Sequence, residues 1–157
     1  GEALLTLMKT LDSETKFMML EPGERTTTVE EQTSIIEGFL KSNSRVMWVA
    51  DDGDALTGFV VGVGNMAARN QHCMSCVIGI LQKAVGQRLG ARLMTQLEDW
   101  ARAHGFTRIE LTVMAHNDRA KRLYLGQGFE VEGTKRQSLL IDGEYIDELY
   151  MAKLLNA

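Results

Sequence analysis

The chain has 157 residues, 45% of them apolar and 24% charged, with a single proline and 15 glycines; this is one domain's length and a globular composition, which excludes disordered and collagen-like chains and makes a two-domain enzyme an unexpected reading. Lysine and arginine number 17 against 21 aspartates and glutamates, a formal charge of −4, too acidic for a protein whose main partner is nucleic acid. No apolar run reaches the roughly 18 residues that span a bilayer and no secretory layout opens the chain, so a soluble, cytoplasmic protein without a membrane partner is expected.

In chain order, Ala3, Leu4, Leu7, Met8 and Leu11 recur at helical spacing and predict an amphipathic first helix over residues 2 to 11. A flexible stretch follows. Thr28 stands three before Glu31, the capping-box spacing, and Ile35, Ile36, Phe39 and Leu40 give a second helix its apolar face. Residues 45 to 64 read as a hairpin, two β-rich runs around "DDGD", whose Asp52-Gly53 pair suits the positive φ of a tight turn. "SCVIGIL" is a third strand. Leu89, Leu93, Leu97, Trp100 and Ala101 mark one face of a long helix ending at Gly105. The run "RIELTVM" then alternates as a strand, a short helix spans about Asp118 to Gln127 and stops at Gly128, and a final hairpin turns at Asp142-Gly143. The order strand, long helix, strand from 75 to 114 is a βαβ unit, so those two strands are parallel while the hairpins are antiparallel. The fold class is therefore α/β, with a mixed sheet.

Charge is unevenly distributed. Between Lys83 and Arg122 eight positive residues face four negative ones, so the rest of the chain carries −8. Such a segment is either a local anion site or a solvated, salt-bridged helix face, and charge alone does not choose. The loop "QKAVGQRLGARL" adds a geometric reason for the first. The opening amides of a helix have no internal partner and the helix dipole is positive there, while Gly86 and Gly90 let backbone approach a ligand and Lys83, Arg88 and Arg92 add charge.

At this loop the sequence resembles the GNAT superfamily of acyl-CoA-dependent N-acyltransferases, whose signature Q/R-x-x-G-x-G/A leads into a helix after a parallel strand. Gly90 fills the final glycine and Gly86 a further common one, whereas Val85 stands where Gln or Arg is usual and Arg88 where the central glycine belongs. The segment "NDRAKRLYLGQGFEVEG" resembles the family's second signature through Asn117, Ala120, Tyr124, Gly128 and Phe129. The resemblance covers most of the chain, with residues 1–157 as one N-acetyltransferase domain. The family usually opens with a strand before its first helix, and that strand is expected either to be lost here or to lie in residues ahead of residue 1.

The resemblance implies acetyl-CoA as cosubstrate, held where the central parallel strands splay apart. Ile78, Gly79 and Ile80 would offer main-chain groups to it, and Val85, Gly86, Gln87, Arg88, Leu89, Gly90 and Ala91 would hold its pyrophosphate. On residues alone, a glycine inside a strand marks a bulge, the close approach of another backbone, or a weak spot in a core strand. The loop reading requires Arg88 to keep φ below zero as the first helical turn; its side chain then either adds a salt bridge or obstructs the site. Asn117, Ala120 and Tyr124 share a side of their helix, with the small residue leaving room for a ligand. By resemblance Asn117 is a cofactor contact and Tyr124 the general acid: an amine attacks the thioester directly, a tetrahedral intermediate forms, and the departing sulfur takes the phenolic proton. Without the motif, Tyr124 reads as a core tyrosine with a satisfied hydroxyl.

For a base, Thr112 occupies the position five before Asn117 and cannot serve. Glu110, two residues earlier on the same strand face, is the catalytic candidate, acting through a water, with an exposed strand glutamate as the plainer description; His116 adjoins the site. Glu21 and Arg25 fall in the stretch that commonly frames the acceptor in this family, and the acidic remainder favours a cationic amine such as a polyamine, an amino acid or a protein N-terminus. The competing function is a non-catalytic CoA-binding or protein-interaction module of the same fold, and strand-rich termini make a homodimer an expectation. "GVGNMA" matches a dinucleotide fingerprint but no helix follows it, "CMSC" lacks a second ligand pair for zinc, so no metal site is expected, and the nine methionines read as core filler.

Overall fold

The N-terminal periodicity becomes helix α1 (Glu2–Glu14) in the computed structural model, which describes residues 1–155. It is followed by α2 (Val29–Leu40), β1 (Arg45–Asp51), β2 (Leu56–Gly64), β3 (Cys73–Ile80), a 3-10 turn (Gln82–Ala84), α3 (Leu89–Ala103), β4 (Arg108–Met114), α4 (Asp118–Gly126), β5 (Glu130–Ile141) and β6 (Glu144–Leu154). Six strands hydrogen bond in the order β1-β2-β3-β4-β6-β5. The parallel pair is β3 with β4, in register at Cys73↔Arg108, Met74↔Ile109 and Ser75↔Glu110, where the register ends although β3 continues to Ile80 and β4 to Met114. No described helix is long and apolar enough to cross a membrane.

The chain forms two units, Gly1–Val63 with Val77–Leu97, and Gly64–Cys76 with Glu98 onward. In the first, the α1 stripe does what its spacing predicts: Leu4, Leu7 and Leu11 cluster with Phe59 and Leu81, all buried. Each such leucine contributes about 1.5–3 kcal/mol by leaving water. Asp12 lies on this helix, 2% exposed, and Arg25 grips it with two hydrogen bonds of 2.7 and 3.2 Å. Helix α2 is capped as its sequence predicts, the Thr28 hydroxyl accepting from the Glu31 amide at 3.1 Å. Its apolar face is not buried as expected. Ile36 packs on the core, but Ile35 and Leu40 are 45% and 81% exposed, and Phe39 carries the Arg45 guanidinium over its ring at 5.0 Å.

In the second unit, Ile109, Leu111 and Val113 of β4 are buried together with Met151 of β6 and Leu155. A charged staple holds the far end of α3: Glu98 accepts from Arg102 at 2.8 Å and pairs with Lys153 at 2.7 Å, and Lys153 also donates to the Gln127 carbonyl at the end of α4. The β5–β6 hairpin turns through Asp142 (φ 52°) and Gly143 (φ 79°), the pair of positive φ values that a type I′ turn requires. Its register is broken twice, first at Glu132, which is extra between the Val131↔Met151 and Gly133↔Tyr150 pairs, and again nearer the turn. Lys135 pairs with Glu148 and Leu139 with Ile146, so Arg136, Gln137 and Ser138 bulge opposite Asp147 alone, and Gln137 takes a φ of 50°.

Candidate cofactor site and active site

The Gly-rich loop sits in the first unit. Gly86 has φ 85° and Arg88 φ 59°, and α3 opens at Leu89 with its first intrahelical bond from the Arg92 amide to the Arg88 carbonyl, 3.1 Å. Arg88 is therefore not the first helical turn with φ below zero. The backbone passes twice through the left-handed region, and Arg88 adopts the conformation for which the signature has glycine, at a cost of roughly 1–2 kcal/mol for an L-residue. The negative φ that the sequence reading required at residue 88 is therefore what fails: the loop takes its turn with Arg88 left-handed. The Arg88 side chain is exposed and makes no ion pair with the described residues. The amides that open α3 precede the helical ladder and have the geometry of an anion site. Val85 and Leu89 are half-buried, Gly90 is buried, and Gly86 and Gln87 are exposed; the Val85 amide is engaged to the Gln82 carbonyl at 3.3 Å.

Gly79 answers to side chains and not to a bulge or an approaching backbone. A Cβ there would stand 2.6 Å from the Phe59 ring and 2.9 Å from Leu11, so glycine is what lets this core close over β3. The half-buried Ile78 and Ile80 flank it. Glu14 of α1 accepts a hydrogen bond from the Gln82 amide. The same unit has an open cavity of about 580 Å³ lined by Glu2, Thr6, Glu14, Asp54, Leu81 and Lys83 among others; of the residues that the sequence marked for the anion site, Lys83 alone lines it. Arg25 is committed to Asp12, and Glu21 is exposed in a turn where its amide donates to the Glu24 carboxylate at 2.8 Å.

In the second unit, Asn117 ends the turn after β4 and caps α4, its Oδ1 accepting from the Ala120 amide at 3.2 Å, which leaves the side-chain NH2 for a ligand. Tyr124 is 6% exposed, its ring tilted against Phe129 at 5.9 Å. Its hydroxyl has no hydrogen-bond partner among the described residues, and none of their sealed side-chain polar atoms lacks one, so the hydroxyl keeps a route to solvent. Burial, and then the nearby Cys76, raise its pKa well above that of a free phenol, so it holds its proton across the neutral range. Burial likewise pushes the Cys76 thiol up to about 12, which keeps it neutral and a poor nucleophile. Both cysteines are free and buried.

Glu110 accepts from the Arg108 Nε at 2.9 Å, and Arg108 turns its other nitrogens to Glu132 at 2.6 and 3.0 Å. The candidate base is thus already balanced by a guanidinium. A carboxylate that the sequence reading passed over, Glu148, is 5% exposed on β6 opposite Met114. Its Oε1 accepts from the Ser138 hydroxyl at 2.8 Å, with Lys135 Nζ at 3.9 Å. The only sequence sign of it is phase, since Glu148 shares strand parity with Tyr150 and Ala152, and its burial depends on the β5 bulge. No group of His, Cys, Asp or Glu suited to a metal ion occurs among the described residues.

Comparison with known proteins agrees with this fold. The chain is 32% identical over 107 residues to the L-amino acid N-acetyltransferase AaaT of Escherichia coli K12, a match covering 66% of this chain and 64% of that protein, so it spans a little under two thirds of the relative. An acetyltransferase of the GNAT family from Streptococcus pneumoniae superposes with a TM-score of 0.93 at 26% identity, over 98% of this chain and 92% of that one. The acetyl-CoA complex of yncA, a putative acetyltransferase from Salmonella typhimurium, shares the fold with a TM-score of 0.86 at 18% identity, over 98% and 87%. Residues 8–129 match the acetyltransferase (GNAT) family, and to that family the chain belongs.

Proposed function

We propose that the protein is an N-acetyltransferase that moves an acetyl group from acetyl-CoA to a primary amine by direct attack. Acetyl-CoA supplies the activated acetyl thioester. The amides opening α3, with Gly86 to Ala91, receive its pyrophosphate, the strand Ile78 to Ile80 offers main-chain groups, and the Asn117 NH2 is a further contact. The relative's name puts amino acids first among acceptors, ahead of polyamines and protein N-termini. Free cysteines fit a reducing, cytoplasmic setting, and pairing through the β5 edge would give a homodimer.

The observation that carries the chemistry is Tyr124, a buried ring with an unpaired hydroxyl. As the amine nitrogen bonds to the acetyl carbon and the C–S bond breaks, the phenol gives its proton to the departing sulfur. A raised pKa is compatible with this, because the dryness that raises the phenol also raises a thiol, as neighbouring Cys76 shows. The same thiol, held neutral, is unsuited to carry an acetyl group, which favours one-step transfer. Glu21 and Arg25 enter this reading as the frame of the acceptor, with Arg25 acting through the Asp12 pair that fixes its loop. Glu110 enters as a member of the Arg108 ion-pair group and not as the base.

The test is thiol release from acetyl-CoA with amino acids, polyamines and peptide N-termini. Turnover on one class is expected, with Tyr124→Phe lower in kcat by about 10² to 10⁴ and its thermal stabilisation by acetyl-CoA unchanged. Binding of acetyl-CoA without turnover on any amine would establish the non-catalytic module instead.

A further inference from the structure

We propose that Glu148 is the carboxylate that receives the acceptor: it pairs with the ammonium of the incoming amine and takes the proton that this nitrogen gives up on acylation. The proposal rests on the acetyltransferase reading. In the balanced step the paired ammonium first gives one proton to solvent, the freed lone pair forms the N–C bond as the C–S bond breaks, the second nitrogen proton passes to Glu148, the sulfur takes the proton of Tyr124, and Glu148 and the phenoxide regain their resting states by proton exchange with solvent.

Three features of the second unit carry it. First, Glu148 is nine-tenths buried yet only half engaged. Ser138 and Lys135 both address Oε1, while Oε2 has no partner among the described residues. Since no sealed polar side-chain atom there is unpartnered, Oε2 keeps access to solvent. A carboxylate is rarely buried with one oxygen open unless something arrives to pair with it.

Second, its place is set by backbone. Glu148 lies opposite Met114, the last residue of β4, and the following turn is tied down by the Ala115 amide on the Asp147 carbonyl (2.9 Å) and the Asn117 amide on the Met114 carbonyl (2.9 Å). That turn begins α4, which carries Tyr124. Cross-strand pairing puts Glu148 on the same sheet face as Thr112 and Glu110, where a base was sought from the sequence and found missing at Thr112.

Third, the β5 bulge holds the carboxylate. Three residues opposite one re-aim Ser138 at Oε1, and the strained Gln137 is pinned by its amide on Asp147 Oδ1 at 2.7 Å. Bulges that re-aim a side chain and left-handed non-glycine residues concentrate beside active sites. The charged or titratable groups that strand pairing and chain order set nearest Glu148 are Lys135 and Arg136 on β5, Asp147 and Tyr150 on β6, and His116 in the turn after β4. Lys135 is half exposed and lies 3.9 Å from Oε1, at the outer edge of an ion pair and beyond hydrogen-bond distance, so it leaves Oε2 for an arriving cation.

The experiment uses the full chain and the best amine from the panel. Glu148→Gln is expected to lower kcat/KM for the amine at least about 100-fold while leaving the acetyl-CoA thermal shift and the KM for acetyl-CoA unchanged, with Glu148→Asp recovering part of the rate. Ser138→Ala, which loosens the carboxylate without removing it, should cost up to about tenfold. Glu148→Gln within threefold of wild type overturns the proposal, as does loss of the acetyl-CoA shift in step with activity, which marks a structural role. If Glu148→Gln does not fold, Ser138→Ala decides, and unchanged amine kinetics there overturns it. A wild type that turns over no amine sinks the parent reading and this one together, whereas the variant ratios address this one alone.

Discussion

The two ends of β4 carry carboxylates on one sheet face and treat them oppositely. At the start of the strand, Glu110 and Glu132 share the Arg108 guanidinium, Glu132 through both oxygens and Glu110 through Oε2, so each carboxylate faces a full positive charge at hydrogen-bond distance. At the far end, Glu148 is more deeply buried, is held by a hydroxyl, and keeps one oxygen open. The lesson is that burial and charge do not by themselves mark a reactive group. Arg108 closes a circuit within the fold, whereas the charge at Glu148 is left for a visitor. Ions that are satisfied inside the protein serve its stability, and those left open serve its ligands.

The largest effect that can break this contrast is the difference between the two glutamines. Against the loss of at least about 100-fold for Glu148→Gln, Glu110→Gln should stay within about threefold of wild type in kcat/KM, which is under about 1 kcal/mol. Its side chain is 36% exposed and its pair lies near the surface, so its stability cost is about 0–1 kcal/mol, roughly 0–4 °C in Tm. Equal losses of activity in the two variants would erase the distinction and restore Glu110 as a base acting through water.

The unequal legibility of these sites has a physical cause. Local rules placed what depends on neighbours in sequence: the α1 stripe, the Thr28 cap, the Asp142-Gly143 turn and the Asn117 start of α4 all stand as the spacing predicts. What failed to show was what depends on register. Nothing near residue 148 says that β6 will set it opposite Met114 or that β5 will bulge to aim Ser138 at it. Likewise the α2 pattern promised a buried face, but amphipathic spacing says only which residues share a side, and Ile35 and Leu40 remain in solvent. Gly79 showed that something approaches closely, without showing that the visitor is the Phe59 ring.

A smaller effect tests the satisfied class through pH. Burial raises the pKa of Glu98, but hydrogen bonds from Arg102 and Lys153 outweigh it, so the carboxyl ends below its ordinary 4.5. A depressed folded pKa contributes stability that is complete above the unfolded value and disappears as pH falls through the folded one. Thermal melts should therefore decline on acidification below about pH 5. Glu98→Gln should be less stable at neutral pH by about 1–3 kcal/mol, the worth of hydrogen bonds to a charged group, and its melting curve should be flatter against pH. A variant as acid-sensitive as wild type would mean that other carboxylates, Glu132 first among them, carry the dependence.

Arg88 gives the smallest and most diagnostic change, because it is the cationic counterpart of the open class: exposed, without an ion pair, and left-handed. Arg88→Gly removes a strain of roughly 1–2 kcal/mol and gives back about 0.5–1 kcal/mol through the freer unfolded chain, so Tm should rise by about 1–4 °C. If the guanidinium waits for phosphate, the KM for acetyl-CoA should rise a few-fold at low ionic strength. That penalty should fade near 1 M salt, where the screening length is about 3 Å. If the side chain instead obstructs the loop, the same variant lowers KM at every salt concentration. The sign of the KM change, read beside an increased Tm, therefore decides whether the arginine in the glycine position is a hindrance or a ligand for the cosubstrate.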